Sequence, residues 1–194
     1  MNSLIKKGLL TKQELKLIRA EVSKFADKSR PARIGMQNVL NTDIRNSDLY
    51  FPITDECVNS RNILQSIIIQ EYIGTINVDL SAIAEFQYLK YAPGGFYNWH
   101  NDVISVEMDA VRGLTLSLNI TDDNMYTGGS LLVKSGSEVI TNERKAGSYI
   151  IFPSFLEHKA SPVISGTREA VVVWSKVSPV ELQYLHKKYK DKRV

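Results

Sequence analysis

The chain has 194 residues, a formal net charge of +3, 43% hydrophobic and 23% charged residues; it is long enough to bury one domain's core, and the composition excludes a disordered, collagenous or membrane-dominated class. Its single cysteine, Cys57, excludes an intrachain disulfide and a cysteine-based zinc site. Charges break up the apolar residues of the N-terminus and no apolar run reaches the length of a membrane span, so the expectation is one cytoplasmic domain over 1–194 with no membrane partner.

Thr11 and Glu14 have the spacing of a capping box, and Leu15, Ile18, Val22 and Phe25 follow at helical intervals, which predicts a first helix over about 11–27. Residues 33–53 read as short strands between polar turns. A second helix is expected over about 60–73, where Ile63, Leu64, Ile67 and Ile68 make an apolar stripe. From Glu85 the period changes to two, with strands near 85–92, 96–100, 112–120, 129–134, 148–152 and 168–177, punctuated by glycine turns. This is an α+β, mainly β pattern: a jelly roll (double-stranded β-helix) over about 85–178, with supporting helices within about 1–80 packed outside one face. The basic run from His186 to Arg193 reads as a solvated helix end whose cations suit the helix dipole, and a nucleic-acid partner is not expected.

His100 and Asp102 stand two apart on an extended stretch, where alternate residues share a face and can point at one ion. His158, directly after a strand, adds a second imidazole. Two imidazoles and one carboxylate on one side of a metal leave the opposite positions open, the facial arrangement of non-haem iron(II) oxygenases, although zinc hydrolases use the same ligand types. On the strand after His158, alternation puts Arg168, Ala170, Val172 and Trp174 on the inward face. An inward arginine on an apolar strand needs an anionic partner. A bound dicarboxylate supplies one bidentately, and an internal salt bridge to Glu85 or Glu107 is the alternative.

With those residues in place, the segment from about Glu85 to Lys176 resembles the prolyl-4-hydroxylase-like branch of the 2-oxoglutarate and iron(II)-dependent dioxygenases. The likeness includes Tyr91 and Tyr97 before His100, the Leu116-Ser117-Leu118-Asn119 strand end, the Gly128-Gly129-Ser130-Leu131 turn, and an Arg-to-Trp strand ending at Trp174. The resemblance implies that His100, Asp102 and His158 bind Fe(II), that Arg168 binds the far carboxylate of 2-oxoglutarate, that Tyr91 lies against this co-substrate, and that Trp174 walls it. It implies a dioxygenase that consumes O2, releases succinate and CO2 and hydroxylates a C–H bond, with peptidyl proline as the leading substrate class and ascorbate as an optional reductant. A free amino acid or other small molecule is the alternative substrate. Two departures stand out, because many members carry a Tyr or Thr near Leu116 and a Thr near Val172, both apolar here. Tyr97 and Trp99 are read as packing residues, Asn101 and Asn119 as turn or strand-end residues, and 33–51 with 122–126 as walls of the entrance.

Two rival readings are weaker. An AlkB-type nucleic-acid demethylase uses the same triad, but that family resembles Arg-x5-Arg on the co-substrate strand, and the second position here is Trp174. A noncatalytic jelly-roll module holding a structural metal has no use for Arg168.

Overall fold

The computed structural model describes residues 4–33, 40–73, 75–76, 80, 83–107 and 109–191. In chain order they form β1 (Lys6–Leu9), α1 (Lys12–Val22), β2 (Arg30–Pro31), β3 (Arg45–Asn46), β4 (Asp48–Tyr50), α2 (Val58–Tyr72), β5 (Ile83–Tyr91), β6 (Phe96–His100) and β7 (Ser105–Glu107). There follow β8 (Ala110–Asn119), β9 (Tyr126–Gly128), β10 (Leu131–Ser135), β11 (Glu138–Thr141), β12 (Ser148–Pro153), β13 (His158–Ala160), β14 (Val163–Gly166), β15 (Arg168–Val177) and α3 (Pro179–Asp191). Part of the expected strand-and-turn stretch, 34–39, lies outside the described residues.

The strands build the two antiparallel sheets of a jelly roll. The larger runs β1-β12-β8-β15-β5-β4-β2, with β7 on β8; the smaller runs β11-β10-β13-β6-β3, and β14 pairs with β9. The central strands β8 and β15 are buried along nearly their whole length. Their alternation divides two interiors. Leu114, Leu116, Leu118, Val171, Val173, Phe86 and Tyr88 join the large core with residues of all three helices, each fully buried apolar side chain contributing roughly 1.5–3 kcal/mol. The other face of the same strands carries Leu89, Tyr91, Ala170, Val172 and Trp174, a smaller cluster that lines the space between the sheets.

The helices follow from local signals and from the core. Thr11 Oγ1 accepts from Glu14 N at 3.2 Å while the Glu14 carboxylate accepts from Thr11 N at 2.8 Å, the expected capping box. The helix stops at Val22 and not near Asp27: Lys24 and Phe25 bond back three residues, to Glu21 and Val22, and a 3-10 turn covers Ala26–Lys28. Phe25 is fully buried against Tyr50 and Tyr88, so its helical spacing reflected a place in the core and not another turn of helix. Glu21, also buried, reaches across to α2 and accepts from Asn59 N, Ser60 N and Ser60 Oγ at 3.0, 2.8 and 2.5 Å, capping a helix whose own N-cap, Cys57, makes no side-chain cap. The basic tail is more than a solvated end, because α3 buries Leu185 and Tyr189 in the large core. No helix among the described residues is long and apolar enough to cross a membrane.

Candidate metal centre

The centre begins with an irregularity in β6. His158 on β13 pairs with His100, but Ala160 pairs with Tyr97, so β6 carries one extra residue between the two pairs. That bulge breaks strict alternation and puts Tyr97 and His100 on the same inner face, their rings stacked 3.5 Å apart. Trp99 turns outward between the ammonium groups of Lys134 and Lys159, half-buried and outside the core. Asp102 lies beyond the end of β6, where its N–H donates to Ser154 O at 2.8 Å; the His-x-Asp pair therefore converges through a loop and not through one regular strand.

Asp102 Oδ1 lies 3.6 Å from His100 Nε2 and Oδ2 lies 3.3 Å from His158 Nε2. The ligand atoms of all three residues fall within 4.8 Å of one another. Each imidazole is fixed from behind: Nδ1 of His100 meets Asn98 O at 2.7 Å and Nδ1 of His158 meets Leu156 O at 3.0 Å. A carbonyl only accepts, so both Nδ1 atoms carry the proton and both Nε2 lone pairs face the shared centre. Oδ2 of Asp102 also accepts from Thr115 Oγ1 and Trp174 Nε1, both at 2.9 Å. Two neutral-donor nitrogens and a clamped carboxylate fit a divalent first-row cation.

The electrostatics ask for positive charge at that point. Burial alone would raise the Asp102 pKa, but His158, His100 and the Trp174 indole outweigh it and hold the carboxyl well below the usual range. Burial, aided by the neighbouring His158, pushes His100 down to about 4, keeping it neutral. Burial also opposes charge on His158, yet Asp102 beside it raises that pKa above the ordinary value.

One pocket joins the centre to the rest of the expected site. His100, Asp102, His158, Tyr91, Arg168 and Trp174 all line it. Arg168 is 4% exposed, and its guanidinium lies 5.4 Å over the Tyr91 ring with no hydrogen bond or ion pair to a side chain among the described residues. The internal salt-bridge alternative fails at Glu85, which is bonded to Arg112 instead; the Glu107 side chain lies outside the described residues. Trp174, expected as a passive wall, also donates to Asp102. Leu116 faces the large core, and its neighbour Ser117 is the residue that lines the pocket, opposite Val172 on β15. One position on from the departure at Leu116, a hydroxyl therefore faces the pocket, with no hydrogen-bond partner of its own among the described residues.

Arg45, Gln87, Arg112 and Thr115 also line the pocket and were not singled out from the sequence. Alternation against Leu114 and Leu116 would have found Thr115; nothing local marked Arg45. The turn 122–126 does not line the pocket, and Asp122 instead pairs with Arg19 at 3.1 Å. Asn101 closes a turn onto Val103 N, and Asn119 sits buried at its strand end, bonded to Thr121 O and Arg144 O. His186 packs against Phe155, away from the centre.

Comparison with known proteins places these residues in a family frame. Residues 86–176 match the model of the 2OG-Fe(II) oxygenase superfamily. A PKHD-type hydroxylase of Synechococcus sp. strain CC9311 is 38% identical over 81 residues, 41% of this chain and 36% of its own. One from Acaryochloris marina is 32% identical over 114 residues, 57% of this chain and 50% of its own; the matches thus span half or less of these curated relatives. Among solved structures, a Pseudomonas putida prolyl-4-hydroxylase aligns with TM-score 0.71 at 18% identity over 90% of this chain and 93% of that one. A Trichoplax adhaerens prolyl hydroxylase, solved with a peptide fragment of a hypoxia-inducible-factor oxygen degradation domain, aligns with TM-score 0.72 at 16% identity over 93% and 85%. At those identities the structural likeness speaks for the fold.

Proposed function

We propose that this chain, whose residues 86–176 match the model of the 2OG-Fe(II) oxygenase superfamily and whose fold is that of prolyl-4-hydroxylases, is a 2-oxoglutarate-dependent dioxygenase that hydroxylates a peptidyl proline, releasing succinate and CO2. The observation that carries the reading is the meeting, in one pocket, of a His-Asp-His centre with a buried arginine that has no counter-ion among the described residues. A zinc hydrolase or a structural metal site has no need of that arginine.

His100 Nε2, Asp102 and His158 Nε2 would hold the iron, and Arg168, aided by the Ser117 hydroxyl, would hold the far carboxylate of 2-oxoglutarate. When bound, iron and 2-oxoglutarate supply the oxidising chemistry by which dioxygen is split between succinate and the hydroxylated product. The chain's own residues bind and orient. Asn98 O and Leu156 O fix the two imidazoles, Thr115 and Trp174 fix the carboxylate, and Tyr91 and Val172 shield the co-substrate from water. A peptide substrate is supported by the structural neighbours, a prolyl-4-hydroxylase and a prolyl hydroxylase with bound peptide.

The test is succinate formation by the purified chain with iron(II), 2-oxoglutarate, ascorbate and a proline-containing peptide pool, followed by mass spectrometry for an added oxygen. His100→Ala, Asp102→Ala and His158→Ala are each expected to abolish turnover with the fold retained. Peptide-independent, metal-independent or absent succinate formation would refute the reading.

A further inference from the structure

We propose that Arg45 is a substrate-recognition residue that binds a carboxylate carried by the substrate beside the reacting C–H bond, so that the preferred substrate is anionic; this rests on the oxygenase reading above.

Three guanidinium groups line the pocket. Arg112 is neutralised by Glu85, bonded through Nε at 2.7 Å and through Nη2, and lies 3.7 Å over the Trp174 ring. Arg168 is taken by the co-substrate. A divalent ion, the Asp102 carboxylate and a doubly charged 2-oxoglutarate together leave a single negative charge, which Arg168 offsets. Arg45 is then left over. It is 6% exposed, and its guanidinium donates from Nε to Ser47 Oγ at 2.9 Å and reaches Gln87 Oε1 only at 3.5 Å, both neutral partners. Among the described residues no carboxylate pairs with it, although Asp43 and Asp48 are two and three positions away in the chain. A buried guanidinium without a counter-ion is costly to keep, and one that faces an open pocket presents an anion site.

Its position fits a substrate and not a second co-substrate anchor. Arg45 pairs with Tyr97 across β3 and β6, and its guanidinium stacks 4.5 Å over that ring, whose other neighbour is the His100 imidazole at 3.5 Å. A carboxylate on Arg45 would thus lie one aromatic layer beyond a metal ligand. Arg168 approaches from elsewhere, from the start of β15 beside Tyr91 at the end of β5. The segment is held rather than loose: Asn98 donates from its backbone N to Ile44 O and from Nδ2 to Asp43 O, both at 2.9 Å. A pre-positioned, desolvated fork of this kind discriminates a carboxylate from its amide.

The carboxylate has two possible sources, a chain-terminal or free α-carboxylate and an acidic side chain next to the target. Calorimetric titration of the full chain, loaded with manganese and 2-oxoglutarate, separates them with two matched pairs: L-proline against L-prolinamide, and N-acetyl-Pro-Asp-amide against N-acetyl-Pro-Asn-amide. At least one carboxylate is expected to bind tenfold or more tightly than its amide partner; which pair shows it identifies the source. Arg45→Gln should bring the two members within twofold and leave 2-oxoglutarate affinity unchanged, and Arg45→Lys should recover part of the preference. Absence of preference in both wild-type pairs overturns the assignment whether or not the variants fold. So does a preference that survives Arg45→Gln, or a loss of 2-oxoglutarate affinity in that variant. A preference that depends on Arg45 in a protein that binds no 2-oxoglutarate would instead sink the oxygenase reading and leave the anion site standing.

Discussion

Replacing Arg168 by alanine separates a ligand-binding arginine from a structural one, because the two roles move different observables. Arg168 makes no side-chain hydrogen bond or ion pair among the described residues, so its removal orphans no carboxylate among them. The melting temperature of the ligand-free protein should therefore hold or rise slightly, the cost being confined to lost contact with Tyr91. With co-substrate the picture inverts. Breaking a buried charge-assisted pair on one side costs about 3–5 kcal/mol, two or more decades in affinity. A ligand at one hundred times its Kd stabilises by about 2.7 kcal/mol, worth roughly 5–11 °C in a domain of this size. At the same concentration, a variant with its Kd raised about a hundredfold would gain only about 0.4 kcal/mol, on the order of 1 °C. Thermal melts of manganese-loaded wild type and Arg168→Ala, with and without 2-oxoglutarate, read this directly. Arg168→Lys should fall between, since an ammonium lacks the bidentate fork. An undiminished 2-oxoglutarate shift in Arg168→Ala, or a large fall in its ligand-free melting temperature, would refute the reasoning.

Trp174→Phe keeps the ring packing but removes the indole N–H from Asp102 Oδ2; with the Thr115 bond still in place, metal affinity should drop about tenfold, read by manganese titration, and an unchanged value would make Trp174 wall alone. Gly129 has φ +62°, and a Cβ there would lie 2.9 Å from Val163 Cγ2 and 3.1 Å from Arg168 Cδ. Gly129→Ala should therefore destabilise by about 1–3 kcal/mol and weaken 2-oxoglutarate binding more than metal binding, as paired titrations would show. Burial works to raise the Glu21 pKa, but the donors of Ser60 and Asn59 outweigh it and depress it. Its contribution is thus complete above the unfolded-state carboxyl pKa and lost as the pH falls through the lower folded value. Glu21→Gln should cost about 1–3 kcal/mol in urea unfolding at pH 7, with the gap to wild type closing in acid; a gap independent of pH would mean that Glu21 acts by packing.

What could be read from the sequence was whatever depends on period and spacing, and what could not was whatever depends on a break in them. Alternation along β15 sorted Arg168, Ala170, Val172 and Trp174 from Val171 and Val173, and the structure keeps that division as two separate interiors. The same rule fails on β6, because a bulge visible only from its pairing with β13 carries Tyr97 round to the face of His100. On β8 the family comparison directed attention to Leu116, yet the neighbouring Ser117 faces the pocket, and a one-residue slip in a period of two exchanges the interiors. Helix ends failed for a related reason: Phe25 keeps helical spacing because the core wants it there, while the backbone has already tightened into a 3-10 turn. Arg45 lay deepest out of reach, since its strand is two residues long and its meaning arises only from the partner strand that carries Tyr97. Metal ligands survive such breaks because their chemistry announces them. A residue that selects a substrate carries no comparable mark, so in a site of this kind specificity becomes readable only once the chain is folded.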